Sequence, residues 1–363
     1  MVSLSKKEIL PSTGRALRVK AVVAGVAVAA GKEKVLPGGR SLFDVPNPVV
    51  VSQESGEGRS RIQKSGFIFE YVLIRVFGAL LSLFPLSFLL RLARPLGYFL
   101  FSILGRSRRT ALENLRQVYG SQKSDAEIRE MAKETFVYLS EFGIEWLYMP
   151  KIARHAERYL GIQGVEKIHA ALAKKKGAML LVSHNGNWEI MALIGGLLIA
   201  KPVNATIYAL ARPLKNPYLY QRVIHLRGLT GLKSISKIGA VRWTLKLLKQ
   251  NGIISLLIDQ RVNEGAVEAE FFGREALTTS LPAIAAIRLG TPIFHVFLRQ
   301  TPELRYVMEV DGPVPIETTD NLEKDIRVNT QRFNDRIETE IRKYPAHWLW
   351  MHNRWRSRHG EKD

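Results

Sequence analysis

Residues 178–192 read AMLLVSHNGNWEIMA, and this stretch decides the fold. Ala178 to Val182 is a short apolar run, which Ser183-His184 follows and Asn185-Gly186-Asn187 breaks. A continuous apolar run bounded by turn residues predicts a buried, parallel-type strand. Trp188-Glu189 then opens IMALIGGLLIA, an apolar segment long enough for a helix. Asn187 is a favourable N-cap, and an acid at Glu189 suits the positive end of the helix dipole. His184 therefore belongs to a loop at the carboxyl end of a strand, where open α/β sheets carry their sites. Glu189 is expected to return towards it from the first turn of the helix. On one uninterrupted helix the two side chains would diverge by roughly 140°, so the Asn-Gly-Asn break is what lets them meet. An imidazole working as a base needs one nitrogen free and the other held by a carboxylate or carbonyl. A satisfied loop histidine beside a surface acid would give the same spacing, so this motif alone does not establish a site.

Further strands are expected at 205–211, 253–259, 292–299 and 304–310, besides 178–183, with helical material between most of them. That alternation predicts an α/β sandwich on a mixed sheet. Upstream, 106–158 has a helical pattern. Ser124 and Glu127 form a capping box, and Ile128, Met131, Phe136 and Leu139 come next on one face. The basic cluster Arg106, Arg108, Arg109 reads as a solvated face that could also meet lipid phosphates.

Four other blocks carry polar residues in suggestive places: ARPLKNP at 211–217, LLIDQR at 256–261, FFGREALTT at 271–279 and YPAHWLWMHNRWR at 344–356. Together with SHNGNWE, and in this order, they resemble the glycerolipid acyltransferase superfamily. The NGNWE form resembles its lipid A biosynthesis (late) acyltransferase branch, of the lauroyl/myristoyl acyltransferase type. The resemblance covers roughly residues 65–357. The sequence departs from the pattern in its first 64 residues and in SHN where THF is commoner.

The chain has 363 residues and a formal net charge of +20, with no cysteine. The missing cysteines exclude disulfides, thiolate metal sites and a cysteine nucleophile. The charge asks for an anionic partner. Basic residues are spread along the chain without an RNA-binding signature or zinc-finger spacing, so a membrane face or phosphorylated substrate is expected before nucleic acid. Residues 1–64 carry 11 Lys/Arg against 5 Asp/Glu and many Gly, Ser and Pro. They read as an atypical extension expected to be disordered. Val22 to Ala30, behind Arg15, Arg18 and Lys20, has a signal-peptide-like pattern. Residues 65–105 form the membrane candidate. Val76 to Leu90 is uncharged but interrupted by Pro85, short of the ~20 apolar residues of a spanning helix. Interfacial helices, with Arg75, Arg91 and Arg94 at headgroup depth, fit this segment better, although the resemblance also admits a tilted anchor. Residues 106–358 make up the expected catalytic domain.

The resemblance implies an acyltransferase of α/β-sandwich fold. It would move a fatty acyl chain from an acyl thioester, on acyl carrier protein, to a hydroxyl of a lipid A precursor at the cytoplasmic face of a bacterial inner membrane. His184, held by Glu189, would be the general base. It implies no cofactor and no metal. The superfamily's phosphate-handling arginine corresponds to Arg212, at a strand end suited to bidentate phosphate recognition. Lys215 and Arg222 are candidate helpers. Asp259 can orient Arg212, polarise the site, or simply cap a turn. Phe271-Phe272-Gly273 reads as an aromatic wall with a backbone kink. The amides behind Thr278-Thr279, at a helix start, could hold an oxyanion. Trp348, Trp350 and Trp355, among His347, His352, Arg354, Arg356 and Arg358, suit a membrane interface. Two alternatives stay open: a lysophospholipid or glycolipid acyltransferase using acyl-CoA, and a non-catalytic basic membrane-binding protein.

Overall fold

The structure is a computed structural model that describes residues 61–355, apart from 212–213, 229, 237–239, 264 and 302–304. The signal-like run at 22–30 lies outside the described residues, as do Arg212, Arg356 and Arg358.

Nine strands are present among the described residues: β1 Leu160–Gln163, β2 Ala178–Val182, β3 Ile207–Ala211, β4 Lys233–Ser236, β5 Ile253–Leu257, β6 Ala266–Phe271, β7 Arg274–Thr279, β8 Ile293–Arg299 and β9 Tyr306–Asp311. Seven form one sheet in the order β1-β9-β8-β2-β5-β3-β4, and β6 and β7 form a separate hairpin. Every pairing in the large sheet is parallel except β8 with β9, so the expected mixed sheet is found. All five expected strands occur, and the sequence reading missed β1, β4 and the hairpin. β1 and β4 have four residues each, too few for an apolar run to stand out, and β4 reads KSIS.

β2 is buried at every position because both faces of the sheet are covered. Ala178, Leu180 and Val182 join the cluster on one side, with Ile190, Leu193 and Ile194 from the succeeding helix. Met179 and Leu181 join the other, with Ile254, Leu256, Phe333 and Ile337. This alternation is the period-two pleat of a strand, and it makes the molecule a three-layer sandwich.

The expected capping box opens the helix Asp125–Arg154. Ser124 N donates to Glu127 Oε2 at 2.9 Å, and Glu127 N donates to Ser124 Oγ at 3.4 Å. Within it Ile128 and Phe136 are buried, and Ile144 and Tyr148 enter the opposite cluster, so this one helix contributes to both layers. Helix Ala93–Ile103 crosses it closely: a Cβ at Gly97 would lie 2.4 Å from Val137 Cα. Arg108 of the basic cluster is not free, because its Nη1 donates to the Phe101 and Ser102 carbonyls and closes the end of that helix, as a cation at a helix C-terminus does.

Residues 61–103 form three helices, Arg61–Leu81, Leu86–Arg91 and Ala93–Ile103. Among the described residues no helix is long and apolar enough to cross a membrane. Large apolar side chains nonetheless stay exposed along this segment, Phe69 to 71% and Leu83 to 76%.

Two expectations are corrected. Phe272-Gly273 is the two-residue turn of the β6–β7 hairpin, with φ of 54° and 69°, the signature of a type I′ turn. A positive φ is unfavourable for a bulky side chain. Here the Phe272 ring is buried against Trp350, with Arg342 over its face, so packing holds it there. The C-terminal tryptophans are not an interfacial belt either, since Trp348 and Trp350 are among the largest fully buried side chains. Each indole N–H has a specific acceptor, Asp259 for Trp348 and the Pro345 carbonyl for Trp350, which allows the rings to be buried.

Candidate active site

β2 and β5 are neighbours, with Val182 opposite Leu257 in the ladder. His184 lies two residues beyond Val182, and Asp259 two beyond Leu257. Equal offsets on in-register parallel strands deliver the two side chains to the same place at the carboxyl edge of the sheet. His184 Nδ1 is 2.8 Å from Asp259 Oδ1, and the His184 backbone N–H donates to Asp259 Oδ2 at 2.7 Å. Trp348 Nε1 donates to Oδ2 as well, at 2.7 Å. The Asp259 side chain is 0% exposed. Burial alone would raise its pKa. The His184 ring, the indole and the backbone amide outweigh that and hold the carboxyl below its ordinary range.

With Nδ1–H given to Asp259, the other ring nitrogen is an acceptor. Nε2 lies 3.1 Å from the Gln260 amide nitrogen, and the rim around it is formed by Leu139, Phe142, Trp188 and Leu349. Trp188 meets the imidazole edge-on at 4.7 Å and packs, tilted, against Phe142 at 4.3 Å. The C-terminal segment closes the far side through the bridge between Asn185 and Trp348 and the Gly186 N–H to the His347 carbonyl. His347 stacks on Tyr138 at 4.2 Å, and burial lowers its pKa to about 4.

The expected bond between His184 and Glu189 is not made. Asn187 caps the helix as anticipated, accepting from the Glu189 and Ile190 amides. That cap places Trp188 on the imidazole side, and Glu189 turns to Arg227. Arg227 Nη2 donates to Glu189 Oε1 at 2.5 Å and Nε to Oε2 at 3.0 Å, a bidentate pair that occupies both oxygens. Burial opposes the Arg227 charge, but Glu189 more than offsets it and raises the guanidinium pKa. Asn187 is itself held by Glu145, whose Oε2 accepts from Asn187 Nδ2 at 2.8 Å.

The remaining sequence candidates fall elsewhere. Among the described residues both Asp259 oxygens accept from His184 and Trp348, so this carboxylate serves the imidazole; Arg212 lies outside the described residues. Phe272 packs against Trp348 from behind, with ring centroids 6.4 Å apart, and Gly273 shares its turn. Thr278 is fully buried, its hydroxyl accepting from Arg354 Nη2 at 2.6 Å and Asn334 Nδ2 at 3.3 Å. Its hydroxyl is committed to these structural contacts; at the helix start behind it, the Leu281 N–H donates to Thr279 Oγ1 at 3.4 Å. Arg222 lies on helix Pro217–Gly228 and faces a different cavity, and Lys215 is exposed. Trp348, Gln260, Arg227 and Glu145 were not singled out as site residues by sequence. The only sequence signal for Trp348 was its membership of the C-terminal block YPAHWLWMHNRWR; Arg227 sits in a helix of ordinary composition and carried none.

A second opening lies beside Glu189–Arg227, between the sheet and helix Trp188–Ile194. Val182, Met191, Ile207, Leu257 and Val296 line it, and Arg227 is its charged wall.

Known proteins share much of this chain. The family model for bacterial lipid A biosynthesis acyltransferases matches residues 61–357. Phosphatidylinositol mannoside acyltransferases from two strains of Mycobacterium tuberculosis are 27% identical over 209 residues, 56% of this chain and 62% of theirs. That of Mycolicibacterium smegmatis is 24% identical over 257 residues, 67% of this chain and 77% of its own length. The match therefore spans a little under two thirds of the tuberculosis relatives.

Proposed function

The chain belongs to the bacterial lipid A biosynthesis acyltransferase family, and on that premise we propose that His184, oriented by Asp259, is the general base of acyl transfer from a thioester to a lipid hydroxyl. The observation that carries this reading is the His184 Nδ1–Asp259 contact, which leaves Nε2 as the proton acceptor at the rim. An acceptor hydroxyl displaces the Gln260 amide from Nε2 and gives up its proton there as its oxygen attacks the thioester carbonyl. The tetrahedral oxyanion collapses, the C–S bond breaks, and the leaving thiolate takes the proton back from Nε2. Asp259 stays ionised and stabilises the imidazolium. Glu189 acts through Arg227, whose guanidinium lies against the apolar cleft and is suited to the polar end of a bound acyl chain.

The acceptor is a lipid A precursor, as the family description suggests, and the donor in this reading is an acyl carrier protein thioester. A second reading is a glycolipid acceptor of the phosphatidylinositol mannoside kind, which the names of the curated relatives support, paired with acyl-CoA as the alternative donor. The exposed apolar side chains of residues 61–103 and the +20 charge support an interfacial seat on an anionic membrane; the cytoplasmic face of the inner membrane, with residues 1–64 as an accessory extension, is the location this reading assigns. The test is mass spectrometry of products from purified protein offered both acceptors with both donors. One added acyl mass on one acceptor is expected and identifies it. No acylated product from any combination, with wild-type protein that is folded, would overturn the proposal.

A further inference from the structure

Helix Arg61–Leu81 carries two stripes. Phe69, Val72, Leu73, Val76, Phe77 and Leu80 are exposed, at the i, i+3, i+4, i+7 spacing of one helix face. Tyr71, Ile74, Arg75, Gly78 and Ala79 form the adjacent stripe and line a cavity of about 370 Å³. The opposite wall brings Lys151, Arg154 and Arg222. Four cations thus face one cavity, and no carboxylate lines it among the described residues. Arg154 and Arg222 have no hydrogen-bonding or ionic partner among the described residues, whereas Arg94, on the next helix but one, is paired with Glu134. Like charges gathered without a counterion are unfavourable in the protein alone. The half-buried Arg222 shows it, since burial and then the nearby Arg75 depress its pKa.

We propose that this cavity is a second binding site, for the phosphate of an anionic lipid headgroup. The shape supports a lipid over a soluble phosphate: the cavity opens beside the exposed apolar stripe, so a headgroup can enter while its chains stay with that stripe. Guanidinium forks match phosphate oxygens bidentately, and two of them lack any competing partner among the described residues. The site is distinct from the base. Phe142 borders His184 and Trp146 borders the cationic cavity, and at 1.5 Å per residue they lie about 6 Å apart along the Asp125–Arg154 helix, with Arg154 about 18 Å along. The phosphate can come from a phosphorylated acceptor whose hydroxyl reaches His184, or from a neighbouring anionic phospholipid. The proposal rests on the membrane seat argued above but not on turnover.

Binding is measured by calorimetry on the full chain with dihexanoyl phosphatidic acid, and with dihexanoyl phosphatidylcholine as control. Wild type should prefer the phosphatidic acid by on the order of tenfold or more. Arg154→Gln with Arg222→Gln should lose that preference at unchanged melting temperature. Should this pair not fold, Ala79→Phe, which fills the cavity and keeps all four charges, should lose it as well. Equal affinity for the two lipids in wild type, or a preference that survives in either folded variant, would overturn the site. Kinetics then separate the sources. If the acceptor's phosphate is the occupant, the double variant raises KM about tenfold for a phosphorylated acceptor and leaves KM for its dephosphorylated form alone. If a neighbouring lipid is the occupant, both KM values shift together in vesicles containing phosphatidic acid, and neither shifts in pure phosphatidylcholine. Wild type that binds phosphatidic acid but transfers no acyl group would sink the acyltransferase mechanism and leave this site standing.

Discussion

Asp259→Asn separates the two carboxylates that could serve His184. Three donors converge on Asp259: the imidazole Nδ1–H at 2.8 Å, the His184 amide at 2.7 Å and the Trp348 indole at 2.7 Å. An asparagine keeps one acceptor oxygen and turns an NH2 towards whichever donor it does not serve. Its oxygen can stay with the amide and the indole, which have no alternative partner among the described residues, so the NH2 then faces Nδ1. The imidazole answers by moving its proton to Nε2, where it can no longer accept one. Loss of base function costs about 10²–10⁴ in rate, and for an amide beneath a catalytic imidazole the upper end applies, on the order of 10⁴ in kcat. Stability should fall by only about 1–3 kcal/mol, the cost of one buried donor left badly paired. The assay is steady-state acyl transfer beside Glu189→Gln, with ¹⁵N NMR of the His184 ring to report the tautomer. Wild type should show the proton on Nδ1 and Asp259→Asn should show it on Nε2. Near-normal kcat in Asp259→Asn together with a dead Glu189→Gln would refute the assignment and return the orienting role to Glu189.

Breaking the Glu189–Arg227 pair from one side, by Arg227→Met, should cost about 3–5 kcal/mol because it strands a buried carboxylate; in denaturant melts, Glu189→Leu with Arg227→Met should cost less than that single change. Gly97→Val should destabilise the helix pair strongly, since even a Cβ would lie 2.4 Å from the Val137 backbone, and an unchanged melting temperature would show that the helices can separate freely. Burial lowers the pKa of both His295 and His347 to about 4, against about 6.5 unfolded. The unfolded chain therefore binds protons first as pH drops, and stability should decline from about pH 6.5 to about pH 4; His347→Gln should flatten part of that slope in thermal melts, and a flat wild-type profile would contradict the buried neutral rings. Phe69→Asp with Leu73→Asp should abolish flotation with vesicles, whereas moderate salt should only weaken wild-type flotation, because apolar burial is not screened as charge is.

Several local features could be read from the chain because short-range physics decides them. The apolar run at 178–182 had to be a buried strand, Asn187 had to cap the helix that begins at Trp188, and Ser124 with Glu127 had to form the capping box. His184 was legible for the same reason, as a titratable residue at a strand end before a helix cap. Its partner was not. Glu189 is five residues away and looked adequate, but which side chain turns towards an imidazole depends on the phase of one helical turn, and the Asn187 cap sets that phase with Trp188 inward. Asp259 is 75 residues from His184, and only the pairing of β2 with β5 gives the two their equal offset at the sheet edge. The C-terminal tryptophans show the same division. Composition established amphipathic rings beside cations, a description that fits a membrane belt and a buried network alike. The acceptor that decides between them for Trp348, Asp259, is 89 residues away and becomes its neighbour only when the chain closes over the carboxyl edge of the sheet. Sequence by itself determined the longer apolar strands and the capped helices, the strand-end histidine and the charge. Tertiary structure decided the pairings, because a hydrogen bond depends on distance and direction in space, and separation along the chain specifies neither.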